Sequence, residues 1–210
     1  MQTSEILYRV GIVPVIKMDR AEHAVPLAKA LKNGGLPAAE ITFRSDAAAD
    51  SIRAIAREVP EVYVCAGTVL NPQTAQAACE AGARAIISPG LNLETVRWCN
   101  ERKVPVIPGC ATPSEVEACM REGLELVKLF PAEVVGGVAM LKALAGPYAA
   151  MKFMPTGGVK LGNAKEYLTQ KNVVACGGTW IVPADLLVQE RFDEIEALAR
   201  EAAELRDSVR

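Results

Sequence analysis
Apolar runs of β-strand character alternate with helical patterns along the whole of this 210-residue chain. Such alternation calls for parallel strands joined by crossover helices, which narrows the fold to α/β classes. Strands are expected near residues 10–17, 38–44, 62–67, 84–88, 104–108, 125–130, 151–155 and 173–177. Helical patterns lie between them, near 20–33, 46–58, 72–81, 93–102, 113–122, 137–145, 161–169 and 183–189, and a charged helix near 191–207 closes the chain. Units of roughly 25 residues, repeated this often, fit a closed (β/α)8 TIM barrel at the compact end of its size range. The expectation is an α/β fold of that kind, as a single domain over residues 1–210. An open doubly wound sheet is the alternative that the same alternation allows.

Punctuation agrees with this reading. Pro72, Pro113 and Pro183 stand where helices should begin, and proline suits a first helical turn. Gly34-Gly35, Gly82 and Gly123 follow helices, where a left-handed residue often ends them. The composition is that of an ordinary globular chain, with 50% hydrophobic and 23% charged residues. A net charge of −2 gives no basic surplus for nucleic acid, and no stretch is long and apolar enough to be a membrane span. The N-terminus lacks the pattern of a signal peptide. The six cysteines are irregularly spaced without a C-x-x-C pair, which favours free thiols in a reducing, cytoplasmic setting. A single histidine, His23, nearly excludes a histidine-built zinc site, so no metal is expected.

The chemistry centres on Lys128, within the apolar run Glu125-Leu126-Val127-Lys128-Leu129-Phe130-Pro131. A buried, unpaired ammonium is costly, but a desolvated lysine can attack a ketone to form a Schiff base. Taken alone, the same lysine could snorkel to the rim of a sheet. Strand side chains alternate between faces, so Lys128 shares one with Leu126 and Phe130. On the second strand Glu40, Thr42 and Arg44 share a face, while Ile41 and Phe43 share the other. The polar face should point into the barrel and the apolar face should pack under helices. A direct Glu40–Arg44 ion pair is disfavoured, since four residues of extended strand span about 13 Å. An inward Lys128 would approach both Glu40 and Arg44, and a nearby carboxylate could then move protons. Thr156-Gly157-Gly158 follows the seventh strand and Gly177-Gly178-Thr179 ends the eighth. Loops at those two positions are the usual phosphate site of a barrel, and glycines let backbone N–H groups reach an anion. Gly157 to Gly162 has the spacing of a Walker A loop but continues Asn163-Ala164, which removes a nucleoside triphosphate site.

The chain resembles the 2-keto-3-deoxy-6-phosphogluconate aldolases, a family also known for 4-hydroxy-2-oxoglutarate aldolase activity. The resemblance runs from about residue 6 to residue 190. It is carried by Gly11-Ile12-Val13-Pro14-Val15-Ile16, Glu40-Ile41-Thr42-Phe43-Arg44, Ala66-Gly67-Thr68-Val69-Leu70 and Ile87-Ser88-Pro89-Gly90. It continues through Val127-Lys128-Leu129-Phe130-Pro131-Ala132-Glu133, Pro155-Thr156-Gly157-Gly158 and Gly177-Gly178-Thr179-Trp180. The resemblance implies a metal-independent class I aldolase without an organic cofactor, on a (β/α)8 barrel, usually a cytoplasmic homotrimer. It implies Lys128 as the Schiff-base lysine and Glu40 as the general acid/base. Arg44 and Thr68 would hold the pyruvyl carboxylate, and Pro89 and Thr156 would line the site. Gly157, Gly158, Gly178 and Thr179 would hold the phosphate. Departures are Thr179, where relatives often carry serine, Cys110 in a loop usually apolar, and Lys17 at the end of the first strand.

The expected partner is thus a small keto-acid phosphate, cleaved to pyruvate and glyceraldehyde 3-phosphate, with 4-hydroxy-2-oxoglutarate as a second substrate. Three rivals remain at this stage. One is the aldolase of the galactonate-derived epimer. Another is a phosphate-binding barrel synthase or isomerase in which Lys128 acts as an acid. The third is a silent sugar-phosphate binding protein.

Overall fold
A computed structural model describes residues 1–210. The strands are β1 (Ile12–Ile16), β2 (Ala38–Thr42), β3 (Tyr63–Gly67), β4 (Ile86–Ile87), β5 (Val106–Ile107), β6 (Gly109–Cys110), β7 (Leu126–Leu129), β8 (Lys152–Pro155) and β9 (Cys176–Gly178). All the pairings between them are parallel. Six strands run in the order β5-β4-β3-β2-β1-β9, and three more in the order β6-β7-β8. Only Pro108 separates β5 from β6, and its carbonyl accepts from the Lys128 N–H at 2.9 Å. Isolated bridges Phe153–Val173 and Thr156–Gly177 link the β8 end to the β9 end. The result is a mixed α/β fold whose parallel sheet curls, with helices on its convex side.

The helices are α1 (Thr3–Val10), α2 (Ala24–Asn33), α3 (Ala48–Glu58), α4 (Pro72–Ala81), α5 (Leu93–Glu101), α6 (Pro113–Arg121), α7 (Gly137–Ala145), α8 (Leu161–Leu168), α9 (Ala184–Val188) and α10 (Phe192–Asp207). Their starts follow local chemistry. Asn71 accepts from the Thr74 N–H ahead of α4, and Asn92 accepts from the Glu94 and Thr95 N–H groups ahead of α5. Thr112 and Glu115 form a capping box on α6, with Pro113 in the first turn. Gly82 ends α4 in the left-handed region at φ 103°. On α10 the buried Ile195, Ala199, Ala202 and Ala203 make an inward stripe at helical spacing. Ala199 packs so closely on Gly34 that a Cβ there would lie 2.5 Å from the alanine methyl.

The core has two parts. Val64, Ala66, Val127, Leu129 and Phe153 belong to a layer of 48 buried residues between sheet and helices. Val13, Ala38, Tyr63, Cys65, Ile87, Met154 and Ala175 belong to a separate cluster of 12 on the concave side. Leu7 and Val10 of α1 complete that inner cluster, so α1 plugs the end where the strands begin. This helix departs from the expectation, which had a strand from residue 10 and nothing before it. Glu5 accepts from the Gln2 N–H at the helix start, and Gly11, at φ 71°, breaks it before β1. The fifth strand also extends past its expected end at 108, because Gly109 and Cys110 pair with β7. No helix is long and apolar enough to cross a membrane.

Candidate active site
A cavity of about 270 Å³ opens where the strands end. Every expected site residue lines it: Lys128, Glu40, Arg44, Thr68, Pro89, Thr156, Gly157, Gly158, Gly178 and Thr179. Val15, Thr42, Phe130, Val159 and Gly177 complete the wall. A larger cavity, about 920 Å³, lies at the other end between α1 and the strand starts, and shares none of these residues.

Parallel register brings the central pair together. Lys128 on β7 and Glu40 on β2 both point to the concave side, above the inner apolar cluster. The Lys128 Nζ donates to Glu40 Oε1 at 3.0 Å, and the two side chains are 5% and 1% exposed. Glu40 therefore pairs with Lys128, and Arg44 bonds elsewhere: its Nε donates to Thr42 Oγ1 at 3.1 Å. The Thr42 hydroxyl in turn donates to the Ile16 carbonyl at 2.9 Å, which fixes Arg44 to the end of β1. The Lys128 ammonium lies 5.4 Å from the Phe130 ring centroid.

Missing side chains make the space. Gly67 on β3 faces Glu40, and a Cβ there would come within 2.4 Å of Glu40 Oε1. Gly177 stands in the same relation to Thr156, whose Oγ1 would lie 2.3 Å from an added Cβ. At Gly109 a Cβ would lie 2.1 Å from the Pro89 carbonyl oxygen. Glycines at these inward positions let polar side chains occupy a layer that apolar residues would otherwise fill. Beneath it, burial and the nearby Glu40 push the Cys65 thiol up, so it stays neutral.

Two oxygens in this layer are fully buried without a protein partner, Glu40 Oε2 and Thr156 Oγ1. A buried polar atom left unbonded is costly, so both are sites where a bound hydroxyl or water gains most. Thr68, just past β3, holds a left-handed φ of 56°, an uncommon strain for a β-branched residue and one that clusters at functional sites. Gly157 and Gly158 are both left-handed, at φ 99° and 83°. Neither of their N–H groups, nor that of Thr179, donates to another backbone group. The cavity thus combines two cations, one carboxylate and a rim of free backbone donors, which suits an anionic carbonyl compound.

Residues flagged for possible roles at the edges fall outside. Lys17 pairs with Asp19 at 2.6 Å on the surface. Cys110 lies in β6 rather than a loop, with its sulfur 3.5 Å from Cys119 in the helix-facing core. Sequence reasoning did not assign roles to Gly67, Gly177, Thr42 or Val15. All four belong to the motifs Ala66-Gly67-Thr68, Gly177-Gly178-Thr179, Glu40-Ile41-Thr42 and Gly11-Ile12-Val13-Pro14-Val15-Ile16, so their place beside the site was readable, though not their contacts.

A family model described as the KDPG and KHG aldolases matches residues 3–198. The KHG/KDPG aldolase of Escherichia coli strain K12 is 50% identical over 193 residues, covering 92% of this chain and 91% of that one. The 2-dehydro-3-deoxy-phosphogluconate aldolase of Treponema pallidum strain Nichols is 45% identical over 201 residues, 96% of each chain. A crystal structure of KDPG aldolase from Legionella pneumophila, with pyruvate captured at low pH as a covalent carbinolamine intermediate, matches with a TM-score of 0.92. Its identity is 36%, covering 95% of this chain and 97% of that one. The chain belongs to the KDPG and KHG aldolase family.

Proposed function
We propose that this chain is a class I aldolase that cleaves 2-keto-3-deoxy-6-phosphogluconate to pyruvate and glyceraldehyde 3-phosphate through a Schiff base on Lys128. One observation carries the reading: a buried lysine amine 3.0 Å from a buried carboxylate, inside a cavity rimmed by glycine loops. A carbinolamine is what an amine and a ketone first form, and the Legionella pneumophila relative was captured with pyruvate in that state.

In this mechanism Glu40 takes a proton from the Lys128 ammonium across their hydrogen bond, and the free amine attacks the C2 ketone. Glu40 returns that proton to the carbinolamine hydroxyl, which leaves as water and gives an iminium beside the restored carboxylate. Glu40, through water, removes the C4 hydroxyl proton. The C3–C4 electrons flow into the iminium, so the aldehyde leaves and an enamine remains. The enamine takes a proton at C3, and hydrolysis of the new iminium releases pyruvate and restores the amine. The iminium is the electron sink, so the cycle as written needs neither a metal nor an organic cofactor. Arg44 and Thr68 hold the pyruvyl carboxylate, with Pro89 and Thr156 shaping the pocket. Gly157, Gly158, Gly178 and Thr179 take the phosphate, the free N–H groups of Gly157, Gly158 and Thr179 and the Thr179 hydroxyl serving as donors. The shorter 4-hydroxy-2-oxoglutarate fits the same pyruvyl end.

The scaffold of this reading is one domain over residues 1–210, a closed (β/α)8 barrel. Continuity of β5 and β6 through Pro108, and the single bridges between the β8 and β9 ends, support closure. The family resemblance supports a homotrimer, which sedimentation would test. Six unpaired thiols fit a reducing cytoplasm. Borohydride reduction with pyruvate tests the chemistry. It should add a single adduct at Lys128. An adduct at Lys17 or Lys152, or none, would overturn the assignment.

A further inference from the structure
Glu133 ends the motif that begins at Val127, yet the chemistry above gives it no task. Its backbone N–H donates to the Gly157 carbonyl at 3.0 Å, and the N–H of Ala132 donates to the Thr156 carbonyl at 2.8 Å. The loop after β7 is thereby zipped to the loop after β8. The Glu133 stem lies across Gly158, where a Cβ would come within 2.4 Å of Glu133 Cγ. Its carboxylate accepts a very short hydrogen bond from the Tyr167 hydroxyl. Tyr167 is buried in α8, the helix entered directly from the Gly157–Gly158 turn. Gly137 leaves room for the pair, since a Cβ there would lie 2.8 Å from Tyr167 Oη and 3.0 Å from Glu133 Oε1. From the other side Asn163 Nδ2 donates to the Gly158 carbonyl at 3.2 Å.

We infer that Glu133 and Tyr167 are positioning residues that clamp the Gly157–Gly158 turn between the lysine-bearing strand and α8 and so set its N–H groups toward the substrate phosphate. The inference rests on the phosphate role proposed for that turn. A carboxylate beside an anion site would repel the ligand if it were free to swing. The bond to Tyr167 holds it back. Burial, with Glu133 adding to it, raises the phenol above its ordinary range, so Tyr167 remains a donor at any working pH.

The clamp predicts an ordered pattern among variants. Tyr167→Phe keeps the buried ring but frees the carboxylate. Glu133→Ala removes both stem and acceptor. Glu133→Gln keeps the stem and an oxygen for the tyrosine while dropping the charge. We would measure kcat/KM for 2-keto-3-deoxy-6-phosphogluconate and for 4-hydroxy-2-oxoglutarate, inhibition by inorganic phosphate, and thermal midpoints. Thr179→Val serves as the reference for the phosphate site itself. Tyr167→Phe and Glu133→Ala should lose on the order of tenfold or more on the phosphorylated substrate and weaken phosphate inhibition. The unphosphorylated substrate should be spared, and Glu133→Gln should stay within about twofold of the parent. If Thr179→Val is selective but Tyr167→Phe impairs both substrates equally or neither, the clamp is wrong and the phosphate site stands. If Thr179→Val is itself unselective, the phosphate site is wrong and the clamp falls with it.

Discussion
Gly67→Ala is the sharpest test of how the site is built. The position has an ordinary φ, so alanine costs no backbone strain. The added methyl would sit 2.4 Å from Glu40 Oε1, 2.7 Å from Glu40 Cγ and 2.9 Å from Glu40 Cδ. Contacts under 3.0 Å are essentially never seen at real Cβ atoms, so the carboxylate must retreat by more than half an ångström. Glu40 is 1% exposed and cannot swing into solvent, so the shift breaks the 3.0 Å bond to Lys128. Overpacking of this kind costs about 1–3 kcal/mol of stability. Misplacing a catalytic group by roughly an ångström costs on the order of 10²-fold in turnover. In the proposed mechanism the damage lies at the pyruvyl end, so pyruvate release should fall equally for 2-keto-3-deoxy-6-phosphogluconate and 4-hydroxy-2-oxoglutarate. Shortening the acid in a Gly67→Ala/Glu40→Asp double variant should restore much of the lost stability. A Gly67→Ala enzyme with near-normal kcat on both substrates would refute the claim that Gly67 exists to seat Glu40.

Other substitutions probe the site and the start of α6. Glu40→Gln should still form the borohydride-trappable imine, but turnover should fall on the order of 10²- to 10⁴-fold, as single-turnover kinetics would show. Lys128→Met should abolish activity and cost about 3–5 kcal/mol in urea unfolding by stranding the buried Glu40 carboxylate, while Lys128→Met/Glu40→Gln should recover most of that. At the start of α6, Thr112→Ala should cost about 1 kcal/mol. Burial would raise the Glu115 carboxyl, but the Ala111 and Thr112 N–H groups and the Thr112 hydroxyl outweigh it and hold it below its ordinary range. Its stabilising effect is therefore present above the unfolded-state value and lost as pH falls through the lower folded-state value. The stability gap between the parent and Glu115→Ala should narrow in that acid window, and a gap independent of pH would contradict this.

What could be read from the sequence was local and periodic. Along β2 the alternation of polar and apolar residues placed Glu40 and Thr42 on one face, and on β7 a single lysine in an apolar run drew attention to Lys128. Proline and glycine marked α4 and α6 because their backbone limits act on single residues. The helix α1 escaped because its apolar Ile6, Leu7 and Val10 merge with the run of β1. Only the left-handed Gly11 separates them. Pro108 concealed the continuation of the fifth strand for a related reason, since proline reads as a strand end wherever it stands.

The approach of Lys128 to Glu40 followed from both facing inward, but the atoms that bond between distant residues could not be read. The Lys128–Glu40 bond joins positions 88 apart and the Tyr167–Glu133 bond positions 34 apart, and no local period encodes either. The glycines show why this matters for function. Gly67 is an unremarkable strand residue by pattern, and its meaning appears only when Glu40 is found against it. A buried lysine–glutamate pair is a weak source of stability, since desolvation offsets much of the attraction. Here it is surrounded by residues that each give up a side chain or a relaxed backbone: Gly67, Gly109 and Gly177 in the polar layer and Thr68 at φ 56°. Sacrifices concentrated in one layer, with the inner apolar cluster below and the helix-facing core outside left intact, are what a site retained for chemistry should look like. An ion pair kept for the fold alone would not require them.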